Sequence, residues 1–184
     1  MIRNIAVAAV LVVLAACQTT SYPPLTYKAD AADKVMQAAY DVCVKNIGDA
    51  GKMQSDVKEL TGDTAQSKRV RVEGRWQDID HYRFYDKDVY LAFFSVYRNG
   101  KGCAVNFASG SVPKHIVTQR LSIEWVGGSY NHAQFGKVSS TEIGVEYIPR
   151  IEGEVVFDMV LFLDKEWTEL EAERVGAPKM EWGG

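Results

Sequence analysis

The chain has 184 residues, 47% hydrophobic and 24% charged, with a formal charge of −3. That length suits one domain, and the composition excludes a disordered, collagen-like or coiled-coil chain. The slight acidity removes the electrostatic case for a nucleic-acid binder, and three cysteines are too few for a disulfide-dense miniprotein.

Composition breaks sharply at the N-terminus. Arg3 is the only charged side chain in the first 27 residues, and Ile5 to Leu14 form an unbroken apolar run. Leu14-Ala15-Ala16-Cys17 follows, then the polar segment Gln18-Thr19-Thr20-Ser21. A basic start, a short apolar stretch and small residues before a cleavage point predict a secretory signal. The 13 residues from Ile5 to Cys17 fall short of the roughly 20 apolar residues that a spanning helix needs.

Leu14-Ala15-Ala16-Cys17 resembles the lipobox of bacterial lipoproteins, a resemblance confined to the signal and its cleavage site. It implies that the Cys17 thiol takes a diacylglycerol group, that residues 1–16 are cut away and that the new amino terminus is acylated. Each buried methylene of such chains contributes about 0.8 kcal/mol, so two or three chains anchor firmly. Gln18 stands where Asp would mark inner-membrane retention, which implies the periplasmic face of the outer membrane. Residues 17–28 are mostly polar, contain Pro23-Pro24 and read as the lipidated N-terminus and a tether.

Residues 29–176 are expected to form a single α+β domain, with 177–184 a flexible tail. Ala29 to Ala50 reads as an amphipathic helix with Asp30 as N-cap; Met36, Tyr40, Cys43 and Ile47 share one face. Residues 52–68 are polar without a strong period and read as a loop or a short helical turn. Arg69 to Trp76 alternates as a half-buried strand, with Val70, Val72 and Trp76 on one face and Arg69, Arg71, Glu73 and Arg75 on the other. Asp88 to Arg98 is apolar on both faces, as in a central strand. Asn99-Gly100-Lys101-Gly102 predicts a hairpin turn into a strand with Cys103, Val105 and Phe107 on one face.

Residues 112–125 fit a helix opened by Ser111 and Pro113, although Arg120 to Val126 also alternates like a strand. Glu142 to Ile148 reads as a strand with Ile143, Val145 and Tyr147 inward, and Glu154 to Leu163 as a second heavily apolar strand. Asp164 is placed to cap a short acidic helix through Val175, its acids read as a solvated face. The expectation is a mainly antiparallel sheet of about five strands, with one helix at its N-terminus and another between strands.

Cys43 and Cys103 both point from apolar faces toward a core, and an even pair in the oxidising periplasm favours a disulfide that links that N-terminal helix to the sheet. A core position argues against the rival reading, a nucleophilic Cys103 activated by His115 or His132. His81, His115 and His132 lack metal-ligand spacing and read as surface or loop residues; no metal or cofactor is expected. The hydrolase elbow, zincin, phosphate-loop and dinucleotide motifs are absent. Asp158, among Phe157, Met159 and Val160, is either a buried general acid or part of a partly solvated strand face, the reading preferred here.

Trp76, Tyr82, Tyr85, Tyr90 and Tyr97 crowd one stretch beside the basic residues Arg69, Arg71 and Arg75. Such aromatics line a sugar or peptide groove or form a sheet core and its rim. The basic residues either meet anionic lipid or cell-wall polymer or guard an edge strand. The resulting expectation is a non-enzymatic accessory or binding module, attached to the membrane through its lipid, whose partner is an envelope protein or a cell-wall polymer. The alternatives are an envelope hydrolase using carboxylates and a small-ligand carrier using the aromatic cluster.

Overall fold

A computed structural model describes residues 29–72, 75–108, 112, 114–130, 132–149 and 158–182. Cys17, with the signal and tether assigned to 1–28, lies outside the described residues.

The described chain runs α1 (Ala29–Val42), a 3-10 turn (Val44–Asn46), α2 (Ala50–Thr61), then the strands β1 (Gln66–Val72), β2 (Arg75–Asp86), β3 (Val89–Tyr97) and β4 (Gly102–Phe107). It continues through α3 (Lys114–Leu121), β5 (Ile123–Trp125), β6 (Gln134–Val138), β7 (Ile143–Ile148), β8 (Met159–Asp164) and α4 (Lys165–Val175). The strands form one sheet in the order β1-β2-β3-β4-β8-β7-β6-β5, and every neighbouring pair is antiparallel. The α+β class therefore holds, but the expected sheet of about five strands is corrected to eight among the described residues.

The difference has three local causes. The strand expected from Arg69 to Trp76 is a hairpin: Val72 pairs with Arg75 and Arg71 with Trp76, so the chain reverses within one apparent alternation. Residues 114–125 satisfy both readings in succession, α3 and then the three-residue β5, while Ser111 and Pro113, expected to open the helix, lie outside the described residues. β6 adds a strand of only five residues with Gly136 at its centre, paired on both sides.

The helices differ too. Ala29 to Ala50 is interrupted after Val42, and α2 runs for 12 residues where a loop or a short helical turn was expected. Local chemistry sets the limits of α2. The Asp49 carboxylate accepts from the Lys52 backbone N–H at 2.9 Å, and Gly62 closes the helix at a φ of 62°, where its N–H donates to the Lys58 carbonyl. α4 follows the expected capping, with the Asp164 carboxylate accepting from the Trp167 N–H at 2.9 Å.

Both faces of the sheet are covered, because strand alternation sends apolar residues to each. On one face Met36, Val42, Met53 and Val117 from α1–α3 pack with Phe94, Val105, Phe107 and Phe162. On the other, Trp167 of α4 packs with Ile79, Tyr97, Leu161 and Leu163. Met180, in the segment expected to fray, is buried against Ala133 and Phe135. Gly144 permits the close approach of α4, since a Cβ there would collide with the Thr168 side chain.

Cys43 and Cys103 are disulfide-bonded, with their Cα atoms 5.5 Å apart. The bridge joins the residue after α1 to central strand β4, as the two apolar faces required. Tyr40 departs from the expected inward face of α1: it is exposed, and Val35, Ala39 and Val42 fill the buried stripe instead.

Candidate functional site

The aromatic and basic residues singled out above do not form one surface. Tyr82 is buried beneath the helical layer, and Tyr97 is buried on the opposite face, edge-on to Trp167 with ring centroids 6.0 Å apart. Both phenols belong to the core, where burial pushes the Tyr82 pKa up. Tyr85 and Tyr90 lie together at the β2–β3 turn, and Trp76 lies at the other end of β2.

The site that remains is the β1–β2 hairpin. Ile79 is the first residue of β2 that pairs with β3; the Asp78 carbonyl still accepts from the Arg98 N–H at 3.0 Å and Gln77 Oε1 from Asn99 Nδ2 at 3.0 Å, so the hairpin reaches past that neighbour from Trp76 onward. Cross-strand partners share a face. Register therefore sets Arg71 opposite Trp76 and Arg69 opposite Asp78 on the helix-facing side. This corrects the expectation that Trp76 sides with Val70 and Val72. Trp76 is 60% exposed, the Arg69 guanidinium lies 5.9 Å from its ring centroid, and Arg69 Nε is 3.8 Å from Asp78 Oδ1. Arg75 opens β2 opposite Val72. An exposed indole flanked by guanidinium groups offers a flat apolar plate with positive charge beside it, a combination suited to an anionic partner.

The hairpin is rooted by Asp80, a residue the sequence analysis did not single out. Asp80 is buried at 5% exposure, and its carboxylate accepts from Arg98 Nη2 at 2.7 Å, Ser67 Oγ at 2.7 Å and Gln54 Nε2 at 2.9 Å. One side chain thus ties β1, β2, α2 and the residue after β3. The Arg98 guanidinium holds the Asp80 carboxyl below the usual carboxylate range, against the opposing effect of burial. The sequence signal was available only in hindsight: an acid in a strand position whose partners are far away in the chain.

Asp158 is not on a partly solvated face. It is 1% exposed, and its Oδ2 accepts from the Val112 backbone N–H at 2.8 Å, while the Tyr147 hydroxyl donates to the Val112 carbonyl at 3.1 Å. Its carboxylate anchors the approach to α3.

Glu146 on β7 and Glu171 on α4 are also buried, although the acids of that helix read as solvated. Arg174 donates to both carboxylate oxygens of Glu171. Burial, and then the charge of Glu171, push the Glu146 pKa up to about 7, and Arg174 offsets part of this.

His81 lies within β2 rather than in a loop, with Nδ1 2.8 Å from Ser95 Oγ and its ring edge-on to Phe93. Burial pushes its pKa down. His115 and His132 are exposed. Among the described residues no three His, Cys, Asp or Glu side chains gather to hold a metal ion, and no helix is long and apolar enough to cross a membrane.

A groove of about 580 Å³ runs between α4 and the chain after it, lined in part by Glu166, Glu169, Leu170 and Met180. Glu166 is paired with Lys101, and Glu169 accepts from Trp182 Nε1. Both acids are thus engaged in contacts within the chain.

No protein-family model matches the chain, and no curated protein or solved structure matches it significantly.

Proposed function

We propose that this chain is a lipid-anchored protein on the periplasmic face of the bacterial outer membrane, and that it works as a non-enzymatic binding module. Its β1–β2 hairpin presents Trp76 and Arg69–Arg71 to an anionic cell-wall polymer. The observation that carries the binding half is the 60%-exposed indole beneath a guanidinium on a hairpin that reaches past the neighbouring strand. A large exposed apolar ring needs a reason to be left in water, and a projecting, rooted hairpin supplies one. The lipobox resemblance at Cys17 supports the anchoring half, and the Cys43–Cys103 bridge suits an oxidising compartment.

The rival readings find less support. Of the buried acids a hydrolase would draw on, Asp158 accepts from a backbone N–H, Glu146 lies beneath α4, and Glu171 of α4 is paired with Arg174. Tyr82 and Tyr97 are packed into the two cores.

Cosedimentation with isolated cell-wall polymer tests the binding half. The wild type should sediment in a salt-dependent manner, and W76A and the R69E/R71E pair should stay in the supernatant while keeping the wild-type thermal midpoint. Variants that sediment as the wild type does would refute the hairpin as the contact. The mass of the mature chain tests the anchoring half: acyl groups on Cys17, lost in Cys17→Ser.

A further inference from the structure

We propose that the end of the sheet carrying the β2–β3 turn docks on the interfacial layer of the phospholipid bilayer that anchors the chain. This rests on the lipoprotein reading above and adds a second, non-covalent contact to it.

The turn is built for an interface. Asp86 pairs with Val89 across a two-residue connection, Lys87–Asp88, in which Lys87 takes a φ of 56°. Val89 at its edge is 60% exposed, and Tyr85 is 42% exposed. The Tyr85 and Tyr90 rings lie against one another at 5.2 Å between centroids, on the strand pair just behind. The charged tip Lys87–Asp88 is flanked by Val89 on the helix-facing side and by the Tyr85–Tyr90 pair on the opposite face, so this end of the sheet carries charges, two rings with polar ends and one apolar side chain, a mixture that matches the layer between lipid headgroups and acyl chains.

The charges nearby are balanced. Lys87 neighbours Asp88, Lys34 pairs with Asp86, and Arg83 pairs with Asp63. The surface is therefore suited to insertion of rings and methyl groups more than to attraction by anionic headgroups.

What selects a bilayer over other occupants is where the chain enters the fold. The Lys34–Asp86 ion pair sets the first turns of α1 beside this turn, and α1 then runs toward Cys43 and the β3–β4 end. Ala29 thus lies at the Val89 end of the molecule. Ala29 stands only 12 positions after Cys17, a reach of at most about 40 Å and nearer 20 Å for a flexible chain. A lipid on Cys17 keeps the turn within that distance of the membrane, where a weak contact is made effective by its high local concentration. β2 spans 12 residues, about 40 Å, so docking at Val89 would hold Trp76 and the β1–β2 hairpin away from the membrane.

The test uses the mature acylated protein in vesicles of phosphatidylethanolamine and phosphatidylglycerol, read by hydrogen exchange and compared with a chain beginning at Gln18 beside the same vesicles. Amides of residues 85–91 should exchange several-fold more slowly in the anchored protein, with residues 70–78 unchanged. Y85S/V89S should abolish that protection while the chain stays on the vesicles. An acylated, vesicle-bound chain whose turn exchanges at the soluble rate would overturn docking and leave the anchor standing. Protection that grows with protein density on the vesicle would also overturn it, by assigning the turn to a second copy of the chain. A mature chain without acyl mass would overturn the anchor and this proposal with it.

Discussion

Replacing Glu146 by glutamine should make the protein more stable at neutral pH, the reverse of what loss of a buried polar contact usually does. Glu146 sits between the sheet and α4, facing Glu171, and its pKa is pushed up to about 7 from an ordinary 4.5. Between those values the folded state keeps a proton that the unfolded chain has already lost. Stability therefore falls as pH rises through this window and levels off above about 7. At about 1.4 kcal/mol per pH unit the gap costs about 3 kcal/mol by neutral pH. Glu146→Gln has the shape of the protonated acid and no charge to bury, so it should recover much of that amount at pH 8 and almost none at pH 4. Denaturant midpoints of both proteins from pH 4 to 8 measure this directly. A difference that is independent of pH, or a variant less stable than the wild type at pH 8, would refute the assignment of a buried, destabilising carboxylate.

Three further outcomes are expected. Thiol titration of the denatured, unreduced protein should find no free Cys43 or Cys103, and replacing both by serine should lower stability by about 4 kcal/mol, the chain-entropy value for a loop of 60 residues. Asp80→Asn should destabilise by about 2 kcal/mol at pH 7 in a denaturant titration. Because the Asp80 pKa is lowered in the fold, its contribution is complete above the ordinary carboxylate range and is lost as pH falls through the folded value, so the two proteins should converge in acid. Gly144→Val should cost roughly 1–3 kcal/mol by forcing α4 off the sheet, and Thr168→Ala in the same chain should restore part of the lost midpoint.

Elements with local signals were legible from the residues alone. The Cys43 and Cys103 faces, the turn at Asn99–Gly102 and the Asp164 cap each follow from chemistry within a few positions. α2 was not legible because it buries only Met53 and Val57 along 12 residues, too thin a stripe to show a period. The β1–β2 hairpin escaped notice because a two-residue reversal leaves an unbroken run of alternating residues, and only the pairing shows that Trp76 sides with Arg71. Glu146 looked solvent-facing for a related reason: its strand alternates cleanly, and nothing near it in the chain shows that α4 covers the second face. Asp80 and its partners Gln54, Ser67 and Arg98 are brought together by topology, which a linear pattern does not record.

The placement of the disulfide also determines how the protein would respond to being pulled. Tension applied at the N-terminus enters at Ala29 and meets the covalent bridge within 15 residues, at Cys43. Stretching can unravel α1 and no more before the bond hands the load to β4, in the middle of the sheet. The chain between the two cysteines, which includes α2, the β1–β2 hairpin and β3, is a closed loop outside that line of force. Pulled from that end, the chain would thus keep the hairpin that carries Trp76 folded while its first helix gives way, like a sprung leash in front of a rigid head.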